Sequence, residues 1–182
     1  MDFAFTPEQD AIREAIAKIC ARFGDDYWLK KDKEGGFPKE LHQALARDGW
    51  LGVAMPEEFG GAGLGITEAA VMMQAIAESG AGFSGASAVH MNIFGLNPVV
   101  VFGTPEQKKR MLPGLIAGKE RACFAVTEPN TGLNTTRIKT KAEKKGGKYI
   151  ISGQKVWIST AQVAEKILLL ARTTPLEEAR KS

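Results

Sequence analysis

A change of hydrophobic period at Arg121 constrains this chain more than any other feature. Before it, Ile12, Ala15, Ile16, Ile19 and Phe23 recur at helical spacing, with Arg13, Glu14, Lys18 and Arg22 on the opposite face. After it, Arg137, Lys139, Lys141, Glu143 and Lys145 alternate with Ile138, Thr140 and Ala142, the period of a strand. Helices first and strands afterwards, without βα alternation, define an α+β chain. The expected division is an N-terminal all-α helical domain over residues 1–118 and an incomplete antiparallel β-domain over 119–182.

Local signals fill in the first half. "TPEQ" occurs at 6–9 and again at 104–107, each time offering Thr as N-cap, Pro at the first helical position and Gln at the third. Each such cap is worth about 1 kcal/mol. Nothing else recurs, so this is a repeated cap and not a repeat architecture. Further helices are expected from Pro38 to near Gly49, over Ile66–Ala77, and from about Ser84 with an interruption at Asn97-Pro98. The helix opened by Thr104 is expected to break at Pro113-Gly114. His42 falls on an expected helix surface, and His90 reads as an interior residue.

In the second half "KKGGK" reads as a hairpin turn, and "KYIIS", "QKVWIS" and "EKILLLA" as strands. These strands leave open edges, and the closing "TTPLEEARKS" is too polar to cover them. A sheet of this kind calls for a covering layer from more chain or from a partner.

Bulk properties exclude several classes. A net charge of +3 over 182 residues is too small for a nucleic-acid binder. Cys20 and Cys123 match no metal or redox spacing and read as reduced thiols of a cytoplasmic protein. No membrane span and no signal peptide is expected, and no Ser/His/Asp set or metal cluster stands out.

Two stretches invite a binding role. Residues 127–136, "TEPNTGLNTT", place hydroxyl and amide groups between two apparent strands, where a turn needs only about two to five residues. The loop is either a long solvated connection or a binding loop. In "VWIS", Trp157 and Ser159 would share one strand face, either as packing or as a flat apolar ring beside a hydroxyl. "MPEEFGGAGLG", residues 55–65, lacks the Lys-Ser/Thr of a phosphate loop and reads as a structural turn. The small residues of "SGAGFSGASAVHMN", 79–92, favour close helix packing, and the basic strand 137–148 a solvated face.

Taken together, "FAVTEPNTGLNTT", "GQKVWIS", "MPEEFGGAGLG", "FTPEQDAIREAIAKI" and "FGTPEQKKRMLPGLIAGK" resemble the acyl-CoA dehydrogenase family, in order and across essentially the whole chain. The resemblance implies a helical domain, a middle β-domain and a C-terminal helical domain, of which this chain matches the first and most of the second. It places the family's catalytic glutamate beyond Ser182, and no metal is implied.

The implied activity is FAD-dependent α,β-dehydrogenation of an acyl-CoA thioester, with electrons passing to an electron-transfer flavoprotein and the full-length protein acting as a homo-oligomer, dimer or tetramer. An acyl-CoA oxidase, a related flavin monooxygenase and a non-catalytic binding module are the alternatives. Carried over by position, Phe124, Val126, Thr127, Gly132, Leu133, Trp157, Ile158 and Ser159 would form the flavin site, and Leu133 and Asn134 would meet substrate. Leu133-Asn134 stand where the family commonly has Ser-Asp. Leu133 cannot hydrogen-bond, a loss of about 1 kcal/mol unless Thr135 or Thr136 substitutes.

Overall fold

The computed structural model describes residues 4–179, apart from the side chains of Phe94 and Gly95. The Met1–Phe3 start and the Arg180–Ser182 end of the final polar stretch lie outside them. The chain parts into two compact units, one running to Ala122 and the other beginning at Cys123.

The first unit carries α1 (Pro7–Cys20), α2 (Asp25–Glu34), α3 (Lys39–Arg47), α4 (Ile66–Ile76), α5 (Gly82–His90), α6 (Asn97–Phe102) and α7 (Pro105–Ile116). Both "TPEQ" stretches form capping boxes. The Gln9 N–H donates to Thr6 Oγ1 while the Thr6 N–H donates to Gln9 Oε1. Thr104 and Gln107 repeat the exchange at the start of α7. Each box satisfies amide donors that a helix start leaves over.

The expected apolar faces are the ones that bury. Ile12 and Ile16 of α1, Leu41 and Leu45 of α3, and Met72 and Ile76 of α4 meet in one core cluster. A second cluster joins Met55, Leu96, Val99, Leu112, Leu115, Ile116 and Ala122. The buried Asn92 amide donates to the Leu115 carbonyl at 3.0 Å, so its polarity is matched.

Three expectations need correction. α2 was not foreseen, because none of its residues is buried and it shows no apolar stripe; acidic Asp25 and Asp26 at its start and Lys31 and Lys33 at its end suit the helix dipole instead. α7 does not break at Pro113 but runs through to Ile116. Pro113 sits on the exposed side near the helix end, while buried Leu112, Leu115 and Ile116 hold the last turn in place. His42 is buried, not superficial, with its ring edge-on to Phe37 at 5.2 Å between centroids. His90 is half-buried, its Nδ1 2.5 Å from the Ser87 carbonyl.

By length and composition alone, the helical run Ile66–Phe102 contains a window apolar enough to cross a membrane. Half of that window is buried inside the protein.

Apart from Ala122, the last residue of the first unit, the second unit holds β1 (Ala122–Ala125), β2 (Lys141–Lys145), β3 (Lys148–Ser152), β4 (Lys166–Leu169) and a short α8 (Leu176–Ala179). The strands form two separate two-stranded sheets, β1 with β4 and β2 antiparallel to β3. The hairpin turn falls on Gly146 and Gly147, both at positive φ, as "KKGGK" demanded. "QKVWIS" does not form a strand, because Trp157 takes φ 58° and leaves the extended region. Trp157 and Ser159 therefore do not share a strand face. The strand expected from Arg137 starts only at Lys141, after a tight helical turn at Thr135–Arg137.

The 55–65 turn is explained by its own backbone. Its N–H groups run inward, Ala62 to Gly52 O at 3.0 Å, Gly63 to Met55 O at 2.8 Å and Leu64 to Val53 O at 3.0 Å. A Cβ on Gly61 would stand 2.1 Å from the Met55 carbonyl oxygen, whereas one on Gly60, at φ 92°, would meet nothing within 4 Å. Gly60→Ala should cost on the order of 1 kcal/mol, for the left-handed backbone alone. Gly61→Ala should cost more, about 1–3 kcal/mol or above, because backbone must move. Denaturant midpoints of the two variants check the order; equal midpoints would contradict the turn's account.

Candidate functional site

The candidate site lies in the second unit, where the chain leaves β1. Phe124, in the strand, and Val126 and Thr127, just beyond it, are all half-buried. Two consecutive residues from the far segment hold the exit of this strand. Lys155 Nζ donates to the Val126 carbonyl at 2.7 Å, and the Val156 N–H donates to the Thr127 carbonyl at 3.0 Å. Lys155 Nζ also lies 3.1 Å from Glu128 Oε1, with both side chains less than a tenth exposed.

Glu128 closes the base of the 127–136 loop. Its Oε2 accepts from the Lys139 N–H at 2.7 Å and its Oε1 from the Thr140 N–H at 2.8 Å. Its backbone exchanges hydrogen bonds with Thr131, at 2.9 and 3.1 Å, which folds the first turn of the loop. At the other end Arg172 acts as a clasp. Its Nε donates to the Ile138 carbonyl at 2.7 Å and its Nη2 to the Thr136 carbonyl, while its own N–H reaches Thr140 O at 2.8 Å. The loop thus has a pinned base and an open tip.

On that tip, Leu133 is fully exposed, Gly132 faces open space, and Asn134 Oδ1 accepts from Thr136 Oγ1 at 2.5 Å. Trp157 is 90% exposed at a positive φ, Ile158 is half-buried and Ser159 is exposed. A bulky non-glycine residue in the left-handed region costs roughly 1–2 kcal/mol, and such strain gathers where a side chain must be aimed. The structure therefore brings Val126 and Thr127 to the segment that carries Trp157. Phe124, Gly132, Leu133, Asn134 and Ser159 are not tied to that junction by these bonds.

Sequence reasoning missed Glu128, Lys155 and Arg172 as individuals. The first two sit inside motifs that were read for their neighbours, and no spacing rule links partners 27 residues apart. Among the described residues, no three His, Cys, Asp or Glu side chains gather as a metal ion would require.

Against this geometry, the family model "Acyl-CoA dehydrogenase, N-terminal domain" matches residues 6–119 and "Acyl-CoA dehydrogenase, middle domain" matches 123–182. The acyl-CoA dehydrogenase FadE12 of Mycobacterium tuberculosis is 37% identical, over 98% of this chain and 45% of its own. The crystal structure of an acyl-CoA dehydrogenase from Geobacillus kaustophilus superposes with a TM-score of 0.87 at 25% identity, over 96% of this chain and 46% of that one. A structure described as the FAD complex of PigA gives 0.82 at 27% identity, again over 96% and 46%. The chain belongs to the acyl-CoA dehydrogenase family, and its α+β fold is that of the family's first two domains. It spans about half the length of the relatives it matches.

Burial pushes the Glu128 carboxyl up, but the Lys139 and Thr140 N–H groups and Lys155 outweigh that and hold it at about 2. A folded-state pKa below the ordinary 4.5 contributes stability that is present above about pH 4.5 and lost as pH falls toward 2. Glu128→Gln should lower the thermal midpoint at neutral pH and flatten its fall across that acid range. Parallel midpoint-versus-pH curves for the variant and the parent would show that Glu128 titrates normally.

Proposed function

We propose that this chain carries the flavin-holding part of an FAD-dependent oxidoreductase that α,β-dehydrogenates an acyl-CoA thioester. The observation that carries the reading is the junction of Val126–Glu128 with Lys155–Val156, which ties the polar loop to the segment whose next residue is the exposed Trp157. A flat heteroaromatic ring with polar atoms along one side suits such a surface. The family membership and the FAD-bound structural relative support the same cofactor.

FAD, when bound, supplies a hydride acceptor for the β-hydrogen of the substrate. The chain's own part is to hold and to exclude. Val126 and Thr127 line the ring, with the Thr127 hydroxyl or N–H donating to its polar edge. Trp157 covers a face, and the Ser159 hydroxyl donates beside it. Phe124 and Ile158 back these groups, and Gly132 leaves room for close backbone approach. Leu133 and Asn134 meet the thioester end of the substrate, where fixed donors would stabilise enolate charge.

Glu128 is not the base that removes the α-proton. It is the one buried carboxylate among the described residues, and its donors hold it ionised with a pKa of about 2, far too weak a base for a thioester α-carbon. The reading extends to fatty acid metabolism in the cytoplasm, to a homo-oligomer, and to an electron-transfer flavoprotein as electron acceptor. The resemblance to the family supports these.

The test is a visible absorption spectrum of the purified protein, before and after an acyl-CoA is added without oxygen. Bound flavin bands are expected, and their absence after reconstitution with FAD would refute the cofactor; bleaching by the acyl-CoA is expected only where the glutamate that the resemblance places beyond Ser182 is present. Trp157→Ala should weaken FAD retention roughly tenfold, the worth of stacking a heteroaromatic ring on an indole. Fluorescence titration with FAD measures it, and unchanged affinity would remove Trp157 from the site.

A further inference from the structure

We propose that Lys155 is a positioning residue for the flavin site, setting the register between the segment that carries Thr127 and the segment that carries Trp157. The inference rests on the flavin reading above and adds a residue which that reading does not use.

The geometry is a three-point lock. Lys155 Nζ binds the Val126 carbonyl at 2.7 Å and the Glu128 carboxylate at 3.1 Å, the two acceptors that bracket Thr127. The next residue, Val156, donates its N–H to the Thr127 carbonyl between them at 3.0 Å. Three consecutive residues on one segment are thus read by two on the other. The lock is stiff, because the Lys155 side chain is only 8% exposed and Glu128 is itself anchored to the Lys139 and Thr140 N–H groups.

No β-ladder does this work. Residues 153–159 form no strand, and Trp157 at φ 58° could not continue one. A slip of one residue along an extended segment moves every side chain about 3.3 Å and turns it to the opposite face. The indole of Trp157 would then point away from its present direction. A simpler role, in which Lys155 only neutralises Glu128, leaves the bond to the neutral Val126 carbonyl without purpose, although it is the shorter of the two.

The experiment compares the parent protein with Lys155→Met, Lys155→Arg and the double variant Lys155→Met/Glu128→Gln. Three quantities are read: the FAD dissociation constant, the shape of the bound flavin's visible bands, and, without FAD, hydrogen exchange at the Val156 amide. Lys155→Met should raise the dissociation constant at least about tenfold, the worth of hydrogen bonds to a charged group. It should also alter the bands and speed Val156 exchange, and Lys155→Arg should recover part of each.

The double variant buries no unpaired charge and serves if Lys155→Met alone does not fold; it should keep the same defects. FAD binding within about twofold of the parent, with unchanged bands, in either Met-containing variant would overturn the positioning role. A parent protein that binds no FAD would instead overturn the flavin reading, and this inference with it.

Discussion

The second unit depends on one buried carboxylate. Taking Glu128 out of water costs on the order of several kcal/mol unless donors replace the solvent. Here three donors come from two places in the chain: Lys139 and Thr140 at the far end of the loop, and Lys155 from beyond the β3 strand. Each place brings its own stretch of backbone to the carboxylate. A side chain that had to be satisfied thus gathers segments that no regular ladder joins. Arg172 completes the arrangement by binding the Thr136 and Ile138 carbonyls.

Rigidity and exposure are separated accordingly. The polar atoms that shape the base of the 127–136 loop are buried or half-buried, while Leu133 and Trp157 stand in solvent. Binding surfaces benefit from that division, because ordering a side chain at the moment of binding costs about 0.5–1.5 kcal/mol each. The first unit works differently, since its helices are held by apolar faces, with capping boxes at two helix starts and the Asn92 amide matched inside.

What could be read in advance follows from the range of each interaction. Capping boxes span three residues and hairpin glycines two, so Thr6, Thr104, Gly146 and Gly147 were legible without coordinates. The amphipathic faces of α1, α3 and α4 were legible for the same reason. α2 escaped because nothing in it is buried, and a solvated helix leaves no apolar period. Pro113 misled because local propensity forbids what the packing of Leu112, Leu115 and Ile116 permits. His42 was put on the surface because a helix-surface reading cannot see the aromatic ring of Phe37 that covers it.

By itself the sequence determined the order of helices and strands, the helix starts, the hairpin turn and the segments in which a flat ring and a polar loop occur. These rest on contacts between near neighbours or on the period of burial. Only the tertiary structure decided that Glu128 finds Lys155, that "QKVWIS" gives up the strand its alternation promised, and that Trp157 stands exposed just after the Val156–Thr127 bond. The physical reason is that a buried charge must be paired wherever a partner can reach it. Which partner does so depends on distance in space, and no local pattern encodes that.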